Sequence, residues 1–173
     1  MKFRFPIVII DEDYRSENTS GLGIRALAKA IEDEGFEVVG VTSYGDLSQF
    51  AQQQSRASAF ILSIDDEEFV TSGPELDPAA VLNLSKFIKE VRRKNEDVPI
   101  YLHGETKTSQ HLPNDILREL HGFIHMFEDT PEFVAKHIIR EAKSYMEGIQ
   151  PPFFKALLDY AEDGSYSWHC PGH

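Results

Sequence analysis

The chain has 173 residues, room for one domain with a genuine core and a terminal tail. Its 29 acidic residues outnumber 17 basic ones and leave a net charge of −12, a surface that repels phosphate backbones and excludes nucleic acid as a partner. No apolar run approaches the ~18 residues that span a bilayer, which excludes a membrane partner, and the single Cys170 excludes an internal disulfide, so a cytoplasmic location is expected.

The first ten residues carry two basic side chains and a short apolar run. That run is too short for a signal peptide, and Asp11-Glu12-Asp13 follows it with no small-residue cleavage site. Residues 5–10 instead read as a strand buried on both faces, with Pro6 near its start, where a missing N–H does least harm. Residues 11–20 are polar and loop-like. Ile24, Leu27, Ala28 and Ile31 then recur at helical spacing, and Gly35 ends that helix. A Val-rich strand follows over 37–42, and a short helix over 46–54, with Ser43 or Asp46 as its cap. Residues 59–64 form another continuous apolar strand. A loop with Gly73, Pro74 and Pro78 leads to a helix marked by Val81, Leu84, Ile88 and Val91. A fourth strand is expected over 99–102, a short helix over 115–120 and a fifth strand over 122–127. Thr130 and Pro131 are the N-cap and first residue of a long last helix, whose Val134, Ile138, Ala142 and Tyr145 share a face.

Five βα units in succession predict an α/β fold: a five-stranded parallel sheet with helices on both faces. Their number and span suit the flavodoxin- or receiver-like order 2-1-3-4-5. No internal repeat is present beyond the βα pattern. This unit is expected to occupy residues 1–148. After Gly148 the pattern changes. Pro151-Pro152 breaks the helix, and Phe153, Phe154, Leu157, Leu158 and Tyr160 make an apolar linker segment over 149–163. The aromatic-rich 164–173 tail implies a partner surface or a further domain.

Several candidate sites can be weighed. In this topology ligands gather at the carboxyl ends of the strands. Asp11, Glu12 and Asp13 after strand 1, with Asp65 and Asp66 after strand 3, resemble the acidic pocket in which receiver domains hold Mg²⁺ and a phosphorylatable aspartate. Thr106 or Thr108 is placed to supply the hydroxyl after strand 4. The lysine expected after strand 5 is replaced by Glu128-Asp129-Thr130-Pro131, which leaves a phosphoryl group poorly stabilised. The plainer reading makes these acids solvated loop residues. Gly21-Leu22-Gly23-Ile24-Arg25-Ala26 matches a dinucleotide fingerprint, but ten residues separate it from the strand, so it reads as a helix entry capped by Ser20. His121 and His125, and His169 and His173 around Cys170, have metal-like spacings without the three or four convergent ligands zinc needs. Cys170 beside two histidines does not make a nucleophilic triad. No lysine from Lys2 to Lys155 sits in a recognisable cofactor-binding stretch. No catalytic, cofactor-binding or metal residue is therefore assigned to this chain.

Three stretches together resemble one family: Glu128-Asp129-Thr130-Pro131-Glu132-Phe133, Pro151-Pro152-Phe153-Phe154-Lys155-Ala156-Leu157, and Tyr166-Ser167-Trp168-His169-Cys170-Pro171-Gly172-His173. They resemble the start of the bacterial fold-type I, pyridoxal-phosphate-dependent ornithine/lysine/arginine decarboxylases, loosely over the whole chain and most specifically over 128–173. The resemblance implies that the five-stranded unit is the N-terminal wing domain, which helps assemble dimers into larger rings. It implies that 149–163 is a linker in the dimer core, and that Trp168, His169, Pro171, Gly172 and His173 open the cofactor domain. The expected partners are that cofactor domain and further copies of the chain. The parent would decarboxylate a basic amino acid on a pyridoxal phosphate Schiff base whose lysine lies beyond His173, so the 173 residues alone are expected to be inactive. The rival expectation is a stand-alone, degenerate response-regulator-like receiver acting in protein–protein signalling. A flavin-binding flavodoxin is disfavoured because no phosphate-binding loop follows strand 1.

Overall fold

The structure, a computed structural model, describes residues 3–44, 57–63, 78–104, 112–125 and 128–149. Five strands, β1 (Phe3–Ile10), β2 (Phe36–Val41), β3 (Ala59–Ser63), β4 (Ile100–Gly104) and β5 (Gly122–His125), form one sheet in the order β2-β1-β3-β4-β5. Every pairing is parallel. The described helices are α1 (Thr19–Asp33), α2 (Pro78–Lys94), the short α3 (Asn114–Leu117) and α4 (Pro131–Ile149). The expected strand order is the observed one.

Although residues 5–10 of β1 and 59–62 of β3 are all apolar, strand geometry still sends successive side chains to opposite faces. Ile7, Ile9, Ala59, Ile61 and Tyr101 face α1 and α4, where Ile24, Ile31, Ile138 and Ala142 complete one core. Val8, Ile10, Phe60, Leu62, Ile100 and Leu102 face α2 and α3, where Leu84, Ile88, Val91 and Ile116 complete a second. The helical faces expected from periodicity are the buried ones, with Val81 and Tyr145 partly buried at the margins.

The boundaries differ from expectation where backbone hydrogen bonding overrides local pattern. α1 begins at Thr19, inside the stretch read as a loop. Its cap is Asn18 and not Ser20: the Asn18 side chain accepts the Gly21 N–H at 2.7 Å. Ser20 thereby falls in the first helical turn, its Oγ buried without a partner. Pro78 is the first residue of α2, where its absent N–H leaves nothing unsatisfied. β4 starts one residue later than expected and runs two further, to Gly104; Pro99 contributes only its carbonyl, which accepts Phe60 N–H at 2.9 Å. α3 is shorter than expected because its chain tightens into i→i+3 bonds after Ile116, and His121 N–H is then taken by Ile100 O at 2.7 Å. Gly35 ends α1 with φ 93°, a left-handed conformation that glycine adopts without strain. α4 starts at Pro131, and Thr130 O accepts Val134 N–H at 3.0 Å, as expected of the residue before the first turn. The helix expected over 46–54, residues 126–127 of the expected fifth strand, and the whole of 150–173 lie outside the described residues.

Candidate functional site

The carboxyl ends of the strands bring together groups distant in sequence. Asp11 follows β1 and prolongs its ladder by one bond, Asp11 N–H to Val41 O at 3.0 Å. That extra bond draws its side chain inward, so Asp11 is 3% exposed and is not a solvated loop acid. Its Oδ1 accepts Asp13 N–H at 2.9 Å. Its Oδ2 lies 3.6 Å from Nδ1 of His103, a β4 residue that is 6% exposed. Between them runs β3, whose Ser63 pairs with His103 and donates its hydroxyl to Ile10 O at 3.0 Å. Nδ1 of His103 is buried and makes no hydrogen bond. Glu12 and Asp13 are half-buried, and Asp13 Oδ1 accepts from Asn18 Nδ2 at 3.1 Å, which ties the loop to the start of α1.

Beside His103 a cleft of about 410 Å³ opens between the first turns of α1 and α4. Its α1 wall is Thr19, Leu22, Gly23 and Leu27, and its α4 wall is Pro131 and Val134. Its floor is His103 with Ile124 and His125 of β5, and Asp129 stands at the rim. Asp129 Oδ2 accepts His125 N–H at 2.8 Å, closing the last donor of the edge strand.

The two glycines of the expected fingerprint have different surroundings. A Cβ on Gly21 would lie 2.1 Å from Ser16 O and 2.5 Å from Asp13 O, so Gly21 lets the 13–16 loop close on α1. A Cβ on Gly23 meets nothing within 4 Å. Of the receiver-like acids, Asp11 and Asp13 are brought together, Glu12 is adjacent, and Asp65 and Asp66 lie outside the described residues, as do Thr106, Thr108 and the motif residues Trp168, His169, Pro171, Gly172 and His173. His121 and His125 lie at opposite ends of β5, about 13 Å apart at a strand's rise, and do not converge. His121 stands at the amino end of β5, where partial burial and the Arg92 guanidinium hold it below the usual imidazole range. Among the described residues no group of three His, Cys, Asp or Glu side chains is placed to hold a metal ion.

Sequence reasoning missed His103. It falls just past the strand expected to end at Leu102, and nothing local links it to Asp11; the one available signal was a titratable residue at the carboxyl edge of a strand. Among the described residues that line the cleft none is a lysine that could hold pyridoxal phosphate, and the Asp129 carboxylate opposes a phosphate there. No helix among the described residues is long and apolar enough to cross a membrane.

The sheet order and the acid after β1 place the domain among receiver-like α/β folds. A response regulator receiver domain from Clostridium thermocellum superposes with a TM-score of 0.54 at 12% identity, covering 82% of this chain and 96% of that one, a likeness of fold alone. Sequence comparison takes the assignment further: residues 19–145 match the Orn/Lys/Arg decarboxylase N-terminal domain family, and the chain belongs to it. It is 27% identical over 173 residues to lysine decarboxylase LdcA of Pseudomonas aeruginosa, covering 98% of this chain and 22% of that protein. The solved structure of lysine decarboxylase A from Pseudomonas aeruginosa superposes with a TM-score of 0.71 over 98% of this chain and 22% of its own. The chain thus spans 22% of the length of these relatives.

Proposed function

We propose that this chain is the N-terminal assembly and regulatory domain of a pyridoxal-phosphate-dependent decarboxylase of basic amino acids, with no decarboxylase activity of its own. The observation that carries this reading is the family match over residues 19–145, which takes in α1, β2 to β5 and most of α4. The cofactor would supply the electron sink for loss of the α-carboxylate, and its lysine and substrate-reading residues would belong to the large domain. Residues 1–148 would form the wing, 149–163 the linker and 164–173 the entry to the cofactor domain. Its partners would be that domain and further copies of the chain, in the cytoplasm. Deleting residues 1–148 from the whole enzyme is expected to leave a smaller assembly by light scattering while decarboxylation persists. An undiminished assembly would overturn the reading.

A degenerate receiver is the second reading, favoured by the placement of Asp11 after β1 and the receiver-like fold. Glu128 and Asp129 occupy the region where a phosphoryl group needs a cation, which argues for the first reading. Incubation with Mg²⁺ and acetyl phosphate separates the two. No mass gain is expected; addition of one phosphoryl group, lost on Asp65→Asn or Asp66→Asn, would establish the receiver.

A further inference from the structure

Two hydrogen bonds join Ile100, the first residue of β4, to His121, the residue before β5. The His121 N–H donates to Ile100 O at 2.7 Å. In return the Ile100 N–H donates to Nδ1 of the His121 imidazole at 3.3 Å. A backbone N–H has no lone pair to offer, so this contact needs Nδ1 bare and puts the ring proton on Nε2. A doubly protonated ring would set one N–H against another. The neutral imidazole is therefore part of the joint between β4 and the α3–β5 corner, and the charged one is not.

The surroundings offer the charged ring a second seat. His121 borders a cavity of about 310 Å³ at the amino edge of the sheet, together with Asp97 of the α2–β4 turn and Glu141, Ser144 and Tyr145 of α4. Among the described residues four charged groups face the imidazole: Arg92 from α2, Glu119 from beyond α3, Asp97 from the turn and Glu141 from α4. Arg92 and Glu119 pair with each other at 2.7 Å. Asp97 and Glu141 are the acids that share the cavity with His121, and an ionised carboxylate only accepts, which suits an imidazolium. His121 is exposed at the surface, so its ring exchanges protons with water directly.

We propose that His121 is an acid-sensitive latch: neutral, it clasps β4 to the α3–β5 corner; protonated, it releases the Ile100 N–H and turns to the Asp97 and Glu141 carboxylates in the cavity. Partial burial and Arg92 hold the folded imidazole below its unfolded value of 6.5. The stability that the latch contributes is thus complete above pH 6.5 and is lost as pH falls through the folded value. This inference rests on the fold alone and goes beyond the decarboxylase reading.

The test is amide hydrogen exchange by NMR on the 173-residue chain between about pH 8 and about pH 5, corrected for intrinsic exchange, with the His121 ring signals followed in the same samples. Protection of the Ile100 amide is expected to fall as His121 titrates, by at most about tenfold per pH unit, the limit for one proton. The control is the Ser58 N–H, which donates to Pro6 O at 2.9 Å at the amino end of β3 and is expected to keep its protection. His121→Asn retains an acceptor and does not titrate, so its Ile100 protection is expected to be flat across the range. Glu141→Gln weakens the second seat and is expected to move the fall to lower pH. Ile100 protection unchanged through the His121 titration, an equal fall at Ser58, an acid response kept in His121→Asn, or one unmoved by Glu141→Gln would each overturn the proposal. The wild-type profile decides the matter if the asparagine variant does not fold.

Discussion

Tyr101 carries the one buried phenol hydroxyl that makes no hydrogen bond among the described residues. Its ring packs in the α1–α4 core beside His121 and His137, with centroids 6.4 and 6.1 Å away. Burial, reinforced by the Glu141 carboxylate, pushes its ionisation well above the ordinary tyrosine value. A hydroxyl removed from water without a partner is a cost that phenylalanine does not carry. Tyr101→Phe is therefore expected to raise stability by about 1 kcal/mol at neutral pH, read from urea unfolding. The pH dependence follows from the same burial. A group whose folded ionisation lies above the unfolded value of 10.0 contributes stability that is complete below pH 10 and drains as pH rises further. Tyr14 and Tyr145 are displaced in the same direction, chiefly by burial. Loss of stability above pH 10 should thus be shallower in Tyr101→Phe but not absent. A clear loss of stability at neutral pH in this variant would show that the hydroxyl does have a partner.

The two glycines of α1 make a second contrast between single residues. Gly21→Ala drives a Cβ into two backbone carbonyls and is expected to lower stability by about 1–3 kcal/mol, read from urea unfolding. Gly23→Ala, two positions on, enters open space and is expected to stabilise by about 0.5–1 kcal/mol through helix propensity alone. Equal effects from the two would refute the packing of the 13–16 loop against Gly21.

Among the elements, Arg92 does the most to hold separate pieces together. Near the end of α2, its Nε donates to Glu119 Oε2 at 2.7 Å and its NH2 to Glu119 O at 3.0 Å. NH1 donates to Val98 O at 2.8 Å and Asn95 O at 3.3 Å, so one guanidinium joins α2, the entry to β4 and the exit from α3. The side chain is 16% exposed, and truncating it leaves half-buried carbonyls unpaired. Arg92→Ala is expected to cost about 2–3 kcal/mol in urea, and Arg92→Lys should recover little, since one ammonium does not reproduce the fork. Full recovery by lysine would reduce the cluster to its net charge.

Elements with strong periodicity were legible in the sequence. The buried faces of α1, α2 and α4 follow from apolar spacing, and the parallel sheet from continuous apolar runs between helices. What stayed hidden depends on contacts across the fold. Asn18 and Ser20 are equally suitable caps by type, and the close approach of the 13–16 loop to Gly21 decides between them. By local pattern Asp11 is one of five solvated loop acids, and its extra ladder bond to Val41 is what draws it inward. The cleft needed His103 and Asp129, which come from different βα units; Asp129 stands in the stretch that resembles the decarboxylases, but nothing local pairs it with His103.

For the molecule as a whole, the sheet divides two apolar layers that share no described side chain except the partly buried Tyr145, which touches both. Ile31 lies in one layer and Leu84 in the other. Ile31→Val is expected to cost about 0.5–1.5 kcal/mol and Leu84→Ala about 2–5 kcal/mol. In the double variant the two costs should sum to within about 0.5 kcal/mol, because no contact is shared. A larger coupling energy would mean that strain passes through the strands. If the costs do sum, the two sides of the domain can drift independently. Substitutions that retune the α1–α4 side, with its cleft, then need no compensation beneath α2, and sequences in which one layer has diverged freely while the other has held still remain compatible with a single fold.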